Sequence, residues 1–175
     1  MILLVIDTQN SIMNDSLYNF DTLKSNIKML IAAARKNNTE VIFVRHNDET
    51  DVDFTRGKPG FEISTDFKPC KSEKILDKTV NSAFMESGLL QYLKSKNETD
   101  IIVVGLQTDY CIDATVKSGF EHGFRIIIPE NTNSTFDNEY MCAEETYNYY
   151  NGFIWKNRYA ECVTAEEAFN LINNS

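Results

Sequence analysis

Residues 99–124, TDIIVVGLQTDYCIDATVKSGFEHGF, decide how this chain folds. The unbroken apolar, β-branched run at 101–104 reads as a strand buried on both faces, the kind a parallel sheet needs. Gly105 ends the run, a short polar turn over 106–111 follows, and an amphipathic helix begins. Ile112, Val116 and Phe120 recur at i, i+4 and i+8, with Thr115 and Gly119 alongside, so one helical face can pack on that sheet. Cys111 therefore stands where strand gives way to helix. A lone cysteine is by default a buried structural thiol. Unpaired N–H groups and the dipole of a helix start would instead favour a thiolate there.

The same alternation extends in both directions. Residues 2–6 form a first apolar run, closed by Asp7. A helix is expected from about 21 to 37, with Leu23, Ile27, Leu30, Ile31 and Ala34 as its stripe. A second strand at 41–44 ends in Arg45 and His46. The charged stretch 47–74 carries Gly57, Pro59, Gly60 and Pro69, and reads as an ordered surface excursion anchored by Phe54, Phe61, Ile63 and Phe67. A short strand at 74–77 leads to Lys78. A helix at 85–95 follows, presenting Leu89, Leu90 and Leu93.

After the central segment, a strand at 125–128 stops at Pro129 and an Asn/Thr/Ser turn. Asp137 can cap a helix of about sixteen residues running through Cys142, Tyr147 and Phe153. A last strand at 160–163 precedes a helix capped by Thr164, with Glu167 placed to close a capping box. Strands alternating with helices, without a break in composition, predict one α/β domain over residues 1–175. Its sheet should be doubly wound and mainly parallel, of about six strands with helices on both faces.

Composition narrows the function classes. A formal charge of −9 argues against nucleic acid and anionic membranes as partners. The opening MILLVIDTQ lacks a basic segment, and its apolar run is too short for a signal peptide or a membrane span. The four cysteines, Cys70, Cys111, Cys142 and Cys162, are scattered without a CxxC pair, which disfavours a zinc ribbon or a disulfide framework. A reduced, cytoplasmic protein is expected. Two histidines, His46 and His122, are too few for a His-based metal site, and His122 is expected at the surface.

In open parallel sheets, ligands bind outside the carboxyl ends of the strands. Asp7, Lys78 and Cys111 each follow a strand, so three residues distant in sequence are placed to meet on one edge. A thiol, a carboxylate and an ammonium form a workable nucleophile set: the carboxylate can take the thiol proton, and the ammonium favours both anions. Taken singly, Asp7 could merely end a strand and Lys78 could be solvated.

LLVIDTQN around Asp7, KTVNSAF around Lys78, GLQTDYCIDAT around Cys111 and IPENTNSTFD after the fifth strand resemble the isochorismatase-like cysteine hydrolase superfamily, which includes nicotinamidases and N-carbamoylsarcosine amidases. The resemblance spans nearly the whole chain in the family's order. It implies a catalytic triad of Asp7, Lys78 and Cys111, and a cis peptide at Leu106–Gln107. It further implies an oxyanion hole from the N–H groups of Gln107 and Cys111, with Gln9, His46 and Leu106 as further substrate-binding residues. Gln9 could equally be a structural residue at a strand end, and His46 a loop anchor or plain surface. The family's metal-binding Asp-x-His motif is replaced by RHND at 45–48, so neither metal nor cofactor is expected. The acid and histidine of the family's DxHST segment appear here as Glu130 and Asn133. Cysteine-dependent cleavage of a small-molecule amide or carbamoyl compound is thus the leading expectation. Vinyl-ether hydrolysis of the isochorismatase type, or a non-catalytic binding protein of the same fold, are the alternatives. A homodimer or higher homo-oligomer is expected from the family's habit and from the aromatics Tyr147, Tyr149, Tyr150, Phe153 and Trp155.

Overall fold

A computed structural model describes residues 1–174. Strand β1 (Ile2–Ile6) is buried at every position, as its uninterrupted aliphatic sequence requires. It lies between β2 (Glu40–His46) and β4 (Asp100–Leu106), parallel to both. β3 (Lys74–Lys78) pairs with the outer edge of β2. On the other side, β5 (Arg125–Pro129) joins β4, and β7 (Glu161–Val163) joins β5. The sheet order is β3-β2-β1-β4-β5-β7, and the two-residue β6 (Asn133–Ser134) pairs with the end of β4. The predicted doubly wound parallel sheet is present, with β6 as a seventh strand.

Alternate side chains of β1 feed two cores. Leu3 and Val5 face a layer built from α1 (Phe20–Lys36) and α5 (Ala165–Asn173), where Leu23, Ile27, Leu30, Ala168 and Ile172 are buried. Ile2, Leu4 and Ile6 face α2 (Leu89–Ser95), α3 (Asp113–Glu121) and the buried Trp155. The terminal helix has the expected capping box between Thr164 and Glu167. Phe61 and Phe67 anchor the 47–74 excursion by full burial, while Phe54 and Ile63 are half-buried.

Two helices are shorter than their sequence patterns suggest. α2 begins at Leu89 rather than near Met85, because Gly88 holds φ +81° and Ser87 Oγ accepts from the Leu89 N–H. α4 (Ala143–Tyr149) starts six residues after Asp137, since Asn138 Oδ1 takes the N–H groups of Tyr140 and Met141 into a local turn. Asp137 still accepts from Ala143 N at 2.7 Å. Beyond α4 the chain widens into a π-helical turn, Tyr150–Ile154. Tyr147 and Trp155 are buried, whereas Tyr149 and Phe153 are exposed. No helix among the described residues is long and apolar enough to cross a membrane.

β1 and β4 lie in close contact at their carboxyl ends. Gly105 pairs with Ile6 in register and holds φ +121°, and an added Cβ there would lie 2.0 Å from the Ile6 carbonyl oxygen. Gly105→Ala should therefore destabilise the fold by at least about 3 kcal/mol in equilibrium denaturant unfolding. A loss under 1 kcal/mol would contradict that close approach.

Candidate active site

Strand order reverses between β1 and β4, the point at which an open α/β sheet leaves a crevice at its carboxyl edge. Asp7 directly follows β1 and takes a left-handed backbone, φ 50°, while its N–H donates to Val44 of β2. Such a conformation is uncommon outside glycine, is better tolerated by Asp than by bulky residues, and clusters at functional sites. Lys78 ends β3, two strands away. His46, at the end of β2, is its register partner and fills the gap between Lys78 and Asp7.

The Lys78 side chain is fully buried, and its ammonium has three acceptors. Nζ donates to Asp7 Oδ2 at 2.7 Å and to Cys111 Sγ at 3.1 Å, and it lies 3.1 Å from His46 Nδ1. An ammonium has three donors and no acceptor, so these contacts use all of them. His46 Nδ1 must then be unprotonated, which fixes the Nε2–H tautomer. Consistent with that, burial first and the Lys78 charge second hold the His46 pKa below its ordinary value.

Cys111 lies within a π-helical turn, Thr108–Ile112, that joins β4 to α3, and the Leu106–Gln107 peptide preceding it is cis. The turn is pinned from several directions. Thr108 Oγ1 donates to Asn133 Oδ1, Thr135 Oγ1 donates to Asp109 Oδ1, and Trp155 Nε1 donates to Asp113 Oδ1. Thr115 Oγ1 accepts from Ala83 N, tying the segment after Lys78 to α3. Asn133 is buried and bonded to Thr108 and Asn151, so it supports the turn.

The structure revises the expected ionisation of Cys111. Cys111 is only 8 % exposed, and its pKa is pushed up to about 12, first by burial and then by the Asp7 charge; Lys78 pulls the other way. The cysteine sits inside a wound turn and not at an open helix start, so the resting group is a thiol. Its S–H has Asn81 Oδ1 at 3.8 Å. Asp7 Oδ1, the oxygen not bound to Lys78, is buried and without a hydrogen-bond partner.

These groups open on a cavity of about 250 Å³ lined by Asp7, Ile12, His46, Gln107 and Cys111 beside the strand ends, by the exposed Asn81, and by a rim of Asp48, Asp51 and Phe54 from the excursion with the exposed Tyr110. Gln107 and His46 thus reach the cavity as expected from sequence. Gln9 does not: its amide is buried, donating to the His46 and Phe61 carbonyls and accepting from His46 N, so it fastens the excursion to the strand ends. Leu106 does not either, because its place on β4 turns its side chain into the α1/α5 core. Asn81, Ile12, Asp48, Asp51 and Tyr110 were not singled out from sequence, and Phe54 only as an anchor of the excursion. Asn81 could have been, since it lies within the KTVNSAF segment; the rim is set by the path of the excursion. His122 is exposed and packs beside Phe84.

Asp7, His46 and Cys111 bring potential metal-ligand atoms within 4.8 Å of one another. The Lys78 ammonium is bonded to the same three groups, and a metal ion held by them would have to sit beside that charge or displace it. The set does not fit a resident metal.

A parallel α/β sheet carrying a buried thiol, carboxylate and ammonium at its switch point defines a hydrolase-like site. The isochorismatase domain model matches residues 1–167, and the chain belongs to the isochorismatase family of hydrolases. A protein of the isochorismatase family from Chromobacterium violaceum superposes with a TM-score of 0.92 at 23 % identity, covering 99 % of this chain and 94 % of the other. The isochorismatase family protein YrdC of Bacillus subtilis is 27 % identical over 77 % of this chain and 73 % of its own length. Nicotinamidase 3 of Arabidopsis thaliana is 25 % identical over 78 % of this chain and 74 % of its own.

Because the folded thiol titrates above its ordinary value of 9.0, its contribution to stability is intact below that pH and declines as pH rises towards about 12. Alkylation of Cys111 by iodoacetamide, followed by peptide mass spectrometry, should accelerate with pH well beyond neutrality. A rate already level at neutral pH would show a resting thiolate and contradict this picture.

Proposed function

We propose that this protein hydrolyses the C–N bond of a small amide or carbamoyl compound through a thioester on Cys111. The observation that carries the proposal is the buried arrangement of Cys111 Sγ and Asp7 about one ammonium, facing a cavity of small-molecule size. The similarity to a nicotinamidase supports amide chemistry within the family.

Asp7 Oδ1 accepts the thiol proton as sulfur attacks the carbonyl carbon. Proton removal is coupled to attack because the resting group is a thiol. The N–H groups of Gln107 and Cys111 receive the oxyanion, and Lys78 balances the negative charge on sulfur and carboxylate. When the tetrahedral adduct collapses, the C–N bond breaks and Asp7 returns its proton to the departing ammonia or amine. Water, deprotonated by Asp7, then attacks the thioester, releasing the acid and restoring the thiol. The cycle uses only the chain's own groups.

Cys111→Ala should abolish ammonia release from a verified amide substrate while leaving substrate binding measurable. Cys111→Ser should be nearly as inactive, because a hydroxyl is harder to ionise. Asp7→Asn should lower the rate by about 10²–10⁴-fold. Lys78→Ala should slow turnover and move thiolate formation to still higher pH, since Lys78 holds the Cys111 pKa down. Activity should be unchanged by EDTA. Near wild-type ammonia release from Cys111→Ala would overturn the thioester route, and a chelator-sensitive activity restored by one divalent ion would overturn its metal independence.

A further inference from the structure

The rim of the cavity carries acidic side chains that have no ion-pair partner among the described residues. Residues 47–54, NDETDVDF, hold four acidic side chains and no basic one. Two of them, Asp48 and Asp51, line the cavity alongside the rings of Phe54 and Tyr110. Both are held in place by their own loop. Asp48 Oδ1 accepts from Thr50 N at 2.8 Å and from Thr50 Oγ1 at 2.7 Å, and Asp51 Oδ1 accepts from Asp53 N at 2.9 Å. These bonds orient the carboxylates without cancelling their charge.

Two arginines at and within the excursion are engaged elsewhere. Arg45 pairs with Asp77 and Glu62, and Arg56 pairs with Asp77. Lys78 is committed to Asp7, His46 and Cys111. His46 has its pKa lowered, first by burial and then by the Lys78 charge, against the opposing pull of Asp7 and Asp48. Among the described residues, no Lys or Arg forms an ion pair with Asp48 or Asp51. Asp7 lines the same cavity and keeps one carboxylate oxygen, Oδ1, buried and without a hydrogen-bond partner, as a site awaiting its substrate would.

Resting on the amide-hydrolase proposal for this site, we infer that the cavity selects a substrate whose scissile carbonyl lies at Cys111 and whose far end carries a positive charge, an ammonium, amidinium or guanidinium group. Asp48 and Asp51 receive that charge, and the aromatic rings of Phe54 and Tyr110 supply apolar surface of the kind that also favours cations. The chain's net charge of −9 steers such a substrate inward and repels an anionic one. Asp48→Asn and Asp51→Asn would keep the acceptor oxygen that orders the loop and remove the charge.

Two readouts test this separately from the chemistry. In the first, ammonia release is compared for 4-aminobutanamide, butanamide and succinamate, which place a cation, a methyl group and an anion at similar distances from the amide. kcat/KM should fall in that order, with the cation ahead of the anion by at least about tenfold. In the second, Cys111 is modified by 2-aminoethyl or 2-sulfonatoethyl methanethiosulfonate, each forming a mixed disulfide and releasing methanesulfinate. The cation-to-anion rate ratio at Cys111, divided by the same ratio at the exposed Cys70, should exceed about tenfold and drop at least threefold in the D48N/D51N variant. Equal or faster reaction of the anionic reagent, no modification of Cys111 by the cationic one, or a ratio that survives in D48N/D51N would overturn the inference. If none of the three amides releases ammonia, the hydrolase proposal is weakened while the thiol ratios still decide the charge preference.

Discussion

One ammonium, removed from water and shared among three acceptors, is the constraint on which this site depends. Lys78 Nζ reaches Asp7, His46 and Cys111 from the end of an edge strand. A buried charge is tolerated only when it is paired and its donors are satisfied. Each acceptor is accordingly fixed by a different part of the fold: Asp7 by the left-handed turn after β1, His46 by the register of β2 against β3, and Cys111 by the pinned turn after β4. Removing the ammonium would strand the Asp7 carboxylate in a dry environment, a loss of about 3–5 kcal/mol for a buried pair of this kind. Stability and chemistry are therefore coupled at this point.

The rest of the sheet serves that geometry. Gly105 lets β4 close on the Ile6 carbonyl one residue before Asp7, which brings the Cys111 turn to the same edge. Gln9 ties the excursion to the end of β2, so the cavity wall and the triad share a support. The result is an inner half in which charges cancel and an outer half in which they do not. The inner half suits the proton transfer and thioester chemistry proposed for it, and the outer half is the part to which we assign the choice of substrate.

Much of this was legible in the sequence. The aliphatic run of β1 and its counterpart at 101–104 can be satisfied only by burial on both faces, which fixes the parallel sheet and hence the edge where Asp7, Lys78 and Cys111 meet. Helix starts were less legible, because Gly88 and Asn138 impose local turns that hydrophobic periodicity does not register. The thiol's ionisation was misjudged for a related reason: spacing suggested an open helix start, whereas the chain winds a π-helical turn that buries the sulfur. Leu106 and Gln9 adjoin the site in sequence but point to the core and to backbone carbonyls. The acidic rim could not be read at all, since it depends on how a long excursion folds back across the strand ends.

The central claim, that Cys111 becomes covalently acylated with Asp7 taking its proton, is tested most directly by trapping. Protein mixed with an amide substrate, quenched in acid within milliseconds and digested, should yield the Cys111 peptide heavier by the mass of the acyl group, that is, the substrate less ammonia, and this adduct should disappear on treatment with hydroxylamine. A substrate that is fully turned over while the Cys111 peptide never carries that added mass, even when hydrolysis of the intermediate is slowed by low temperature, would contradict the account.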